Sequence, residues 1–180
     1  RICDEFINRD NMPAPLAWLL HINFGYPLLQ PGASTYCYQG TVMSRFGSDD
    51  WFAAGRDFRA APKPQESHRG TGEVFAYIDP RTDPKGNVLA GVVNRKQSFG
   101  VKVEFNKKDF PRMGNWQHWG PDGSYTGAIE PMTAGVEGRP KDEELGWLQH
   151  LKPGQSRTLR CTITATSDKK ELDQLLKLNR

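Results

Sequence analysis

A chain of 180 residues that is 37% hydrophobic and 11% aromatic can bury one continuous core, which argues against disorder, and it carries no apolar run long enough to span a bilayer. Its net charge of +3, from 24 basic and 21 acidic residues spread along the sequence, excludes the clustered basic face of a nucleic-acid binder. Cys3, Cys37 and Cys161 form neither a CxxC pair nor an even disulfide framework, and no leader-like segment opens the chain, so a reducing, cytoplasmic setting is expected.

The opening Arg1–Ile7 reads as a strand, and without an initiating Met it reads as the interior of a longer polypeptide. The next segment, Trp18-Leu19-Leu20-His21-Ile22-Asn23-Phe24-Gly25, is an apolar run carrying polar groups at 21 and 23. In a strand these two share a face. They are either a satisfied core histidine with an Asn bonded to backbone, or two groups lining a pocket for a polyhydroxylated ligand. Ala60-Ala61-Pro62-Lys63-Pro64-Gln65 reads as an exposed connection within a single domain spanning 1–180.

Apolar residues alternate or come in short runs, and 18 glycines and 13 prolines punctuate them, so the chain is expected to be all-β. Strands are expected at Val74–Ile78, Asn87–Val93, Gly100–Phe105 and Arg157–Ala165. Asp79–Gly86 has acidic residues near calcium-loop spacing, but Arg81 stands where a ligand is needed and the closing Glu is missing, so it reads as a hairpin loop. The end of the chain alone is clearly helical: Ser167 or Asp168 can cap it, Asp168-Lys-Lys-Glu171 resembles a capping box, and Leu172, Leu175 and Leu176 share a face that packs on the sandwich edge.

Chemistry also gathers between Gly114 and Arg139. Glu130, set between Ile129 and Pro131, becomes partly desolvated if that strand is buried, which raises a carboxyl pKa and suits a general base. Trp116, Trp119 and Tyr125 are either core or flat surfaces for a sugar ring. Arg139 can pair with an anionic substrate or with a structural carboxylate, and His68, His118 and His150 read as surface or turn residues.

Several stretches in register resemble the aldose-1-epimerase-like proteins related to galactose mutarotase: Asp4-Glu-Phe-Ile-Asn with Met12-Pro-Ala-Pro-Leu, His21-Ile-Asn-Phe-Gly-Tyr-Pro-Leu-Leu, Trp116 to Pro131 with its Ile-Glu-Pro, Gly138-Arg139, and Leu145-Gly-Trp-Leu-Gln-His-Leu-Lys-Pro-Gly-Gln-Ser. The resemblance implies a galactose-mutarotase-like supersandwich of antiparallel sheets, with a monosaccharide or sugar derivative bound on the concave face of one sheet. It implies Glu130 as the base that takes the anomeric proton and His21 as the acid at the ring oxygen, with Asn23 and Glu73 in supporting contacts; Trp116, Trp119 and Arg139 are expected as further substrate contacts from their residue types. Glu73 in Gly72-Glu73-Val74-Phe75 resembles the acidic position that holds sugar hydroxyls. No cofactor, metal, nucleic acid or membrane is implied.

Mutarotases carry a further N-terminal portion with strands and another sugar-binding histidine and arginine. The resemblance therefore covers the C-terminal larger part of such a domain, completed by the rest of a longer polypeptide or by a companion chain, and a homo-oligomer is compatible with it. Three classes stay open at this stage: an epimerase, a non-catalytic sugar-binding module on the same fold, and a structural all-β domain.

Overall fold

A computed structural model describes residues 1–45 and 47–179. Two five-stranded antiparallel sheets face each other. The first has the order β1 (Ile2–Ile7), β12 (Ser156–Thr166), β8 (Phe99–Asn106), β7 (Asn87–Asn94), β4 (Ser34–Cys37). The second has the order β3 (Ile22–Phe24), β10 (Tyr125–Met132), β9 (Arg112–Trp119), β6 (Val74–Pro80), β5 (Gly40–Ser44). A small ribbon pairs β2 (Ala14–Leu16) with β11 (Gln149–Leu151).

The core lies between the two large sheets and follows the period of two that strands impose. Tyr36, Val88, Ala90, Val92, Val103, Phe105, Leu159 and Cys161 point inward from the first sheet. Phe24, Val74, Ala76, Ile78, Met113, Trp119 and Ile129 meet them from the second. The expected strands at 74–78, 87–93, 100–105 and 157–165 lie within strands of this sandwich, and the expected strand at 1–7 is β1 with Arg1 just before it. The 60–65 connection is a loop, although Ala61 enters the core.

The segment 79–86 is not a hairpin, because β6 and β7 belong to different sheets and the chain crosses between layers there. Its turn chemistry is local: the Asp83 carboxylate accepts from the backbone N–H groups of Lys85 and Asn87, each at 2.8 Å, and Gly86 has φ +82°. Such a turn reverses the chain without specifying which strand comes next to which.

The terminal helix α3 (Lys169–Lys177) starts as expected, with Asp168 accepting from the Glu171 N–H at 3.0 Å. It covers the outer face of the first sheet over β7 and β4, not the edge of the sandwich. Gly91 and Gly100 permit this close approach, since a Cβ on either would come within 3.0 Å of a Leu175 or Leu172 methyl. Two more short helices, α1 (Asp49–Ala53) and α2 (Arg139–Glu144), interrupt the loops. Each is too short to show an apolar period, and only Pro140 in the first turn of α2 hints at a helix start.

Candidate active site

The outer face of the second sheet holds Glu130, His21, Asn23 and Trp116 of the expected site. Ile129 is wholly buried between the sheets, so alternation puts Glu130 on the opposite face. Phe24 points into the core, so His21 and Asn23, at odd offsets from it, take the outer side too. The 19–24 segment runs along β10: Leu19 bridges Met132, the Leu20 N–H donates to the Pro131 carbonyl at 3.0 Å, and Asn23 stands opposite Ala128. His21 and Glu130 are thereby brought side by side.

His21 Nε2 lies 2.9 Å from Glu130 Oε1. Oε1 is buried and has no hydrogen-bond partner among the described residues. The Glu130 side chain is 3% exposed while that of His21 is 42% exposed. Around them, Phe75, Tyr77 and Met132 pack with Leu19, Trp116, Val136 and Trp147 into an apolar floor. Burial, reinforced by the Glu73 carboxylate and only partly offset by Arg45, pushes Glu130 up to about 8. Burial also lowers His21, against the opposing influence of Asn23 and Glu73.

Trp116 is the hub of this face. Its ring meets the His21 ring edge-on at 5.1 Å, and its Nε1 donates to Glu73 Oε2 at 2.5 Å. Glu73 is the residue before β6 and lies on the same side as Trp116. Arg45 donates to Glu73 at 3.1 Å and to Glu137 at 3.2 Å, and the Tyr77 hydroxyl donates to Glu137 at 2.9 Å.

Arg45, Tyr77 and Glu137 were not singled out in the sequence. Tyr77 sits two residues from Phe75 and so shares its face, a signal that alternation alone contains. No comparable signal ties Arg45 to Glu137, which meet only through the tertiary fold.

Two expected substrate contacts are placed elsewhere. Trp119 is fully buried in the core between the sheets, its Nε1 donating to Gln117 Oε1 at 3.2 Å, because three residues along a strand from Trp116 means the opposite face. Arg139 is exposed at the start of α2 and forms no ion pair among the described residues, neither with the site nor with a structural carboxylate. His68 and His118 are buried, not surface residues: a backbone N–H from Trp119 bonds one, and Gly72 with Ser124 bonds the other. His150 is exposed in β11.

The site is an open face, and surface depressions elsewhere lie away from it, one of them bordered by Arg81, Asn87, Glu104 and Arg160. Among the described residues no group of three or more His, Cys, Asp or Glu is arranged to hold a metal ion, and no helix is long and apolar enough to cross a membrane.

No curated protein matches the chain at a significant level. Among solved structures, it is similar to a candidate aldose 1-epimerase from Klebsiella pneumoniae subsp. pneumoniae, with a TM-score of 0.85 at 19% identity over 98% of this chain and 45% of that one. It is also similar to a galactose mutarotase related enzyme from Lactobacillus acidophilus, with a TM-score of 0.59 at 17% identity over 91% of this chain and 56% of that one. A galactose mutarotase-like protein from Clostridium acetobutylicum gives a TM-score of 0.57 at 14% identity over 91% of this chain and 51% of that one. The chain thus spans about half the length of the structures it matches. The likeness establishes the galactose-mutarotase-like supersandwich. A family model described as "Domain of unknown function (DUF4432)" matches residues 1–165, and the chain belongs to that family.

Proposed function

We propose that this chain carries the acid–base pair of a sugar isomerase of the aldose 1-epimerase type, which interconverts anomers by opening and closing the sugar ring. The observation that carries the reading is the buried Glu130 Oε1, which lacks a hydrogen-bond partner among the described residues and lies 2.9 Å from His21 Nε2 on an open face. A buried acceptor without a donor costs roughly 1–3 kcal/mol, and a substrate hydroxyl relieves that cost when it binds.

The ring oxygen and the anomeric hydroxyl of a pyranose sit on one carbon, so an acid and a base that serve both must be near neighbours. Binding parts the two side chains slightly and inserts these oxygens between them. In the resting protein, burial favours the proton on Glu130 and a neutral His21. Transfer of that proton across the pair, with no net change in charge, yields a Glu130 carboxylate and a His21 imidazolium. Substrate hydroxyls bonded to the carboxylate stabilise this form.

Glu130 then removes the anomeric proton while His21 protonates the ring oxygen. The C1–O5 bond breaks to give the open aldehyde, rotation about C1–C2 presents the other carbonyl face, and reversal of the two transfers closes the ring as the other anomer. Each positioned acid or base contributes roughly a hundredfold to ten-thousandfold. Trp116 offers its flat surface to the sugar, and Glu73 and Asn23 are placed to bond its hydroxyls.

The test is anomer equilibration of several aldoses, followed by polarimetry or NMR with the chain and with Glu130→Gln. The chain should accelerate exchange and the variant should lose at least about a hundredfold of that acceleration. Equal rates would remove Glu130 as the base. Saturable sugar binding without any acceleration would replace the isomerase reading with that of a sugar-binding module.

A further inference from the structure

Arg45 follows β5, and its backbone N–H donates to the Phe75 carbonyl at 3.3 Å, so it continues the β5–β6 register and stands across from Phe75 on the outer face of the sheet. Phe75 lies midway between Glu73 and Tyr77, which share that face with it. A long, forked cation at this place can reach a partner on either side. Arg45 Nη1 donates to Glu73 Oε1 at 3.1 Å and Nε donates to Glu137 Oε1 at 3.2 Å, while the guanidinium carbon lies 5.6 Å from the centre of the Phe75 ring.

Glu137 is itself held. The Tyr77 hydroxyl donates to Glu137 Oε1 at 2.9 Å and accepts the Val136 N–H at 3.0 Å, so the segment after β10 is tied onto β6 where Glu137 meets Arg45. The Arg45 and Glu137 side chains are only 28% and 22% exposed, which sets their pair apart from the loosely held ion pairs of an open surface.

Glu73 is more open, yet it is gripped from two strands. Arg45 donates to one carboxylate oxygen, and Trp116 Nε1 donates to the other at 2.5 Å. A carboxylate has about four lone-pair sites, so these two donors fix its plane and leave acceptor capacity for a ligand. The contacts then close on themselves. Trp116 meets the His21 ring edge-on, His21 lies beside Glu130, and β10 runs on from Glu130 into the segment that carries Glu137.

We propose that Arg45, anchored by Glu137 and Tyr77, is a positioning residue that sets the Glu73 carboxylate, and through it the Trp116 ring, on the sugar-facing side of the sheet. The sugar-facing role of Glu73 and Trp116 rests on the anomer-interconversion reading of that face. Charge alone does not serve this purpose: a lysine ammonium is a point charge on a flexible stem and lacks the fork that holds two carboxylates at once. Removing Arg45 or its anchor frees Glu73 to rotate, and the indole N–H of Trp116 loses an acceptor of fixed direction.

The experiment compares the full chain with Arg45→Ala, Arg45→Lys and Glu137→Ala. It reads the Trp116 indole N–H by NMR without ligand, and D-galactose binding by titration. Arg45→Ala and Glu137→Ala should both shift the indole signal, and Arg45→Ala should weaken D-galactose binding about tenfold, the fold-change for losing one hydrogen bond to a charged group. Arg45→Lys should fall short of the parent in both measurements. A lysine variant that matches the parent shows that charge suffices and overturns the positioning role. So does an indole signal or an affinity unmoved in Arg45→Ala, even where its denaturant midpoint drops, because an ion pair that only stabilises the fold changes the midpoint alone. If Arg45→Ala does not fold, Glu137→Ala and Tyr77→Phe decide by the same two readouts. A parent that binds D-galactose without accelerating its anomer exchange removes the proposed activity and leaves the positioning role to these readouts, whereas a parent that binds none overturns the sugar-facing role.

Discussion

Glu130 stands directly opposite Gly114 in the β9–β10 pair, and Gly114 stands opposite Tyr77 on β6. A Cβ at 114 would lie 2.5 Å from Phe75 Cζ and 2.9 Å from Met132 Cε, so glycine lets these two side chains close over the strand and form the apolar floor beside the carboxyl. Gly114→Ala should therefore destabilise the protein by about 1–3 kcal/mol through overpacking. It should also draw the Glu130 pKa back toward the ordinary carboxyl range as the floor shifts. A denaturant midpoint checks the first effect, and a carboxyl NMR titration checks the second.

The raised pKa of Glu130 carries a stability cost with a definite sign. Below the ordinary value of 4.5 the carboxyl is protonated in both folded and unfolded chains, and no cost exists. From there to about 8 the unfolded chain releases a proton that the folded chain keeps, so stability falls as pH rises and levels off above that point. Glu130→Gln removes the ionisable group and should match the parent near pH 4. It should exceed it above pH 8 by on the order of a few kcal/mol. Thermal unfolding of both proteins across this range is the measurement, and parallel curves would show that Glu130 is not desolvated.

The inner face of the sandwich was legible in the sequence because alternation is a local property. Val74, Ala76 and Ile78 declare their shared face without reference to any other strand. The same rule pairs His21 with Asn23 and separates Trp116 from Trp119, although composition alone had grouped the two tryptophans. Which strands become neighbours was not legible. The turn at 79–86 looks like a hairpin because Asp83 and Gly86 shape it locally, yet it joins two sheets. For the same reason Arg45, Glu73 and Glu137 could not be joined beforehand, since their ion pairs link three chain segments that only the completed fold brings together.

The rate of anomer exchange should show a bell-shaped pH dependence, because the reacting form of His21 and Glu130 holds one proton between them. Above about 8 the pair loses that proton and the rate should fall roughly tenfold per pH unit. The acid limb should lie below the ordinary histidine range, because burial lowers His21. His21→Asn should abolish the bell, whereas His150→Asn, on the exposed β11, should leave it in place. A profile flat from pH 5 to 9 would show that the two groups do not carry the protons.

Trp116 and Trp119 allow stability and ligand contact to be separated on a single strand. Trp119→Phe leaves a gap in the core and removes the donor that satisfies Gln117 Oε1, itself wholly buried, so it should cost about 1–3 kcal/mol. Because its ring faces away from Glu130, sugar affinity should stay within about twofold of the parent. Trp116→Phe keeps most of the apolar surface but loses the bond to Glu73, so stability should change by less than about 1 kcal/mol. Sugar affinity should drop severalfold, since both the wide ring and the oriented Glu73 carboxylate are lost from the open face. Denaturation and sugar titration of the two variants check this, and the opposite pattern, with Trp119 governing affinity, would place the ligand on the wrong side of the sheet.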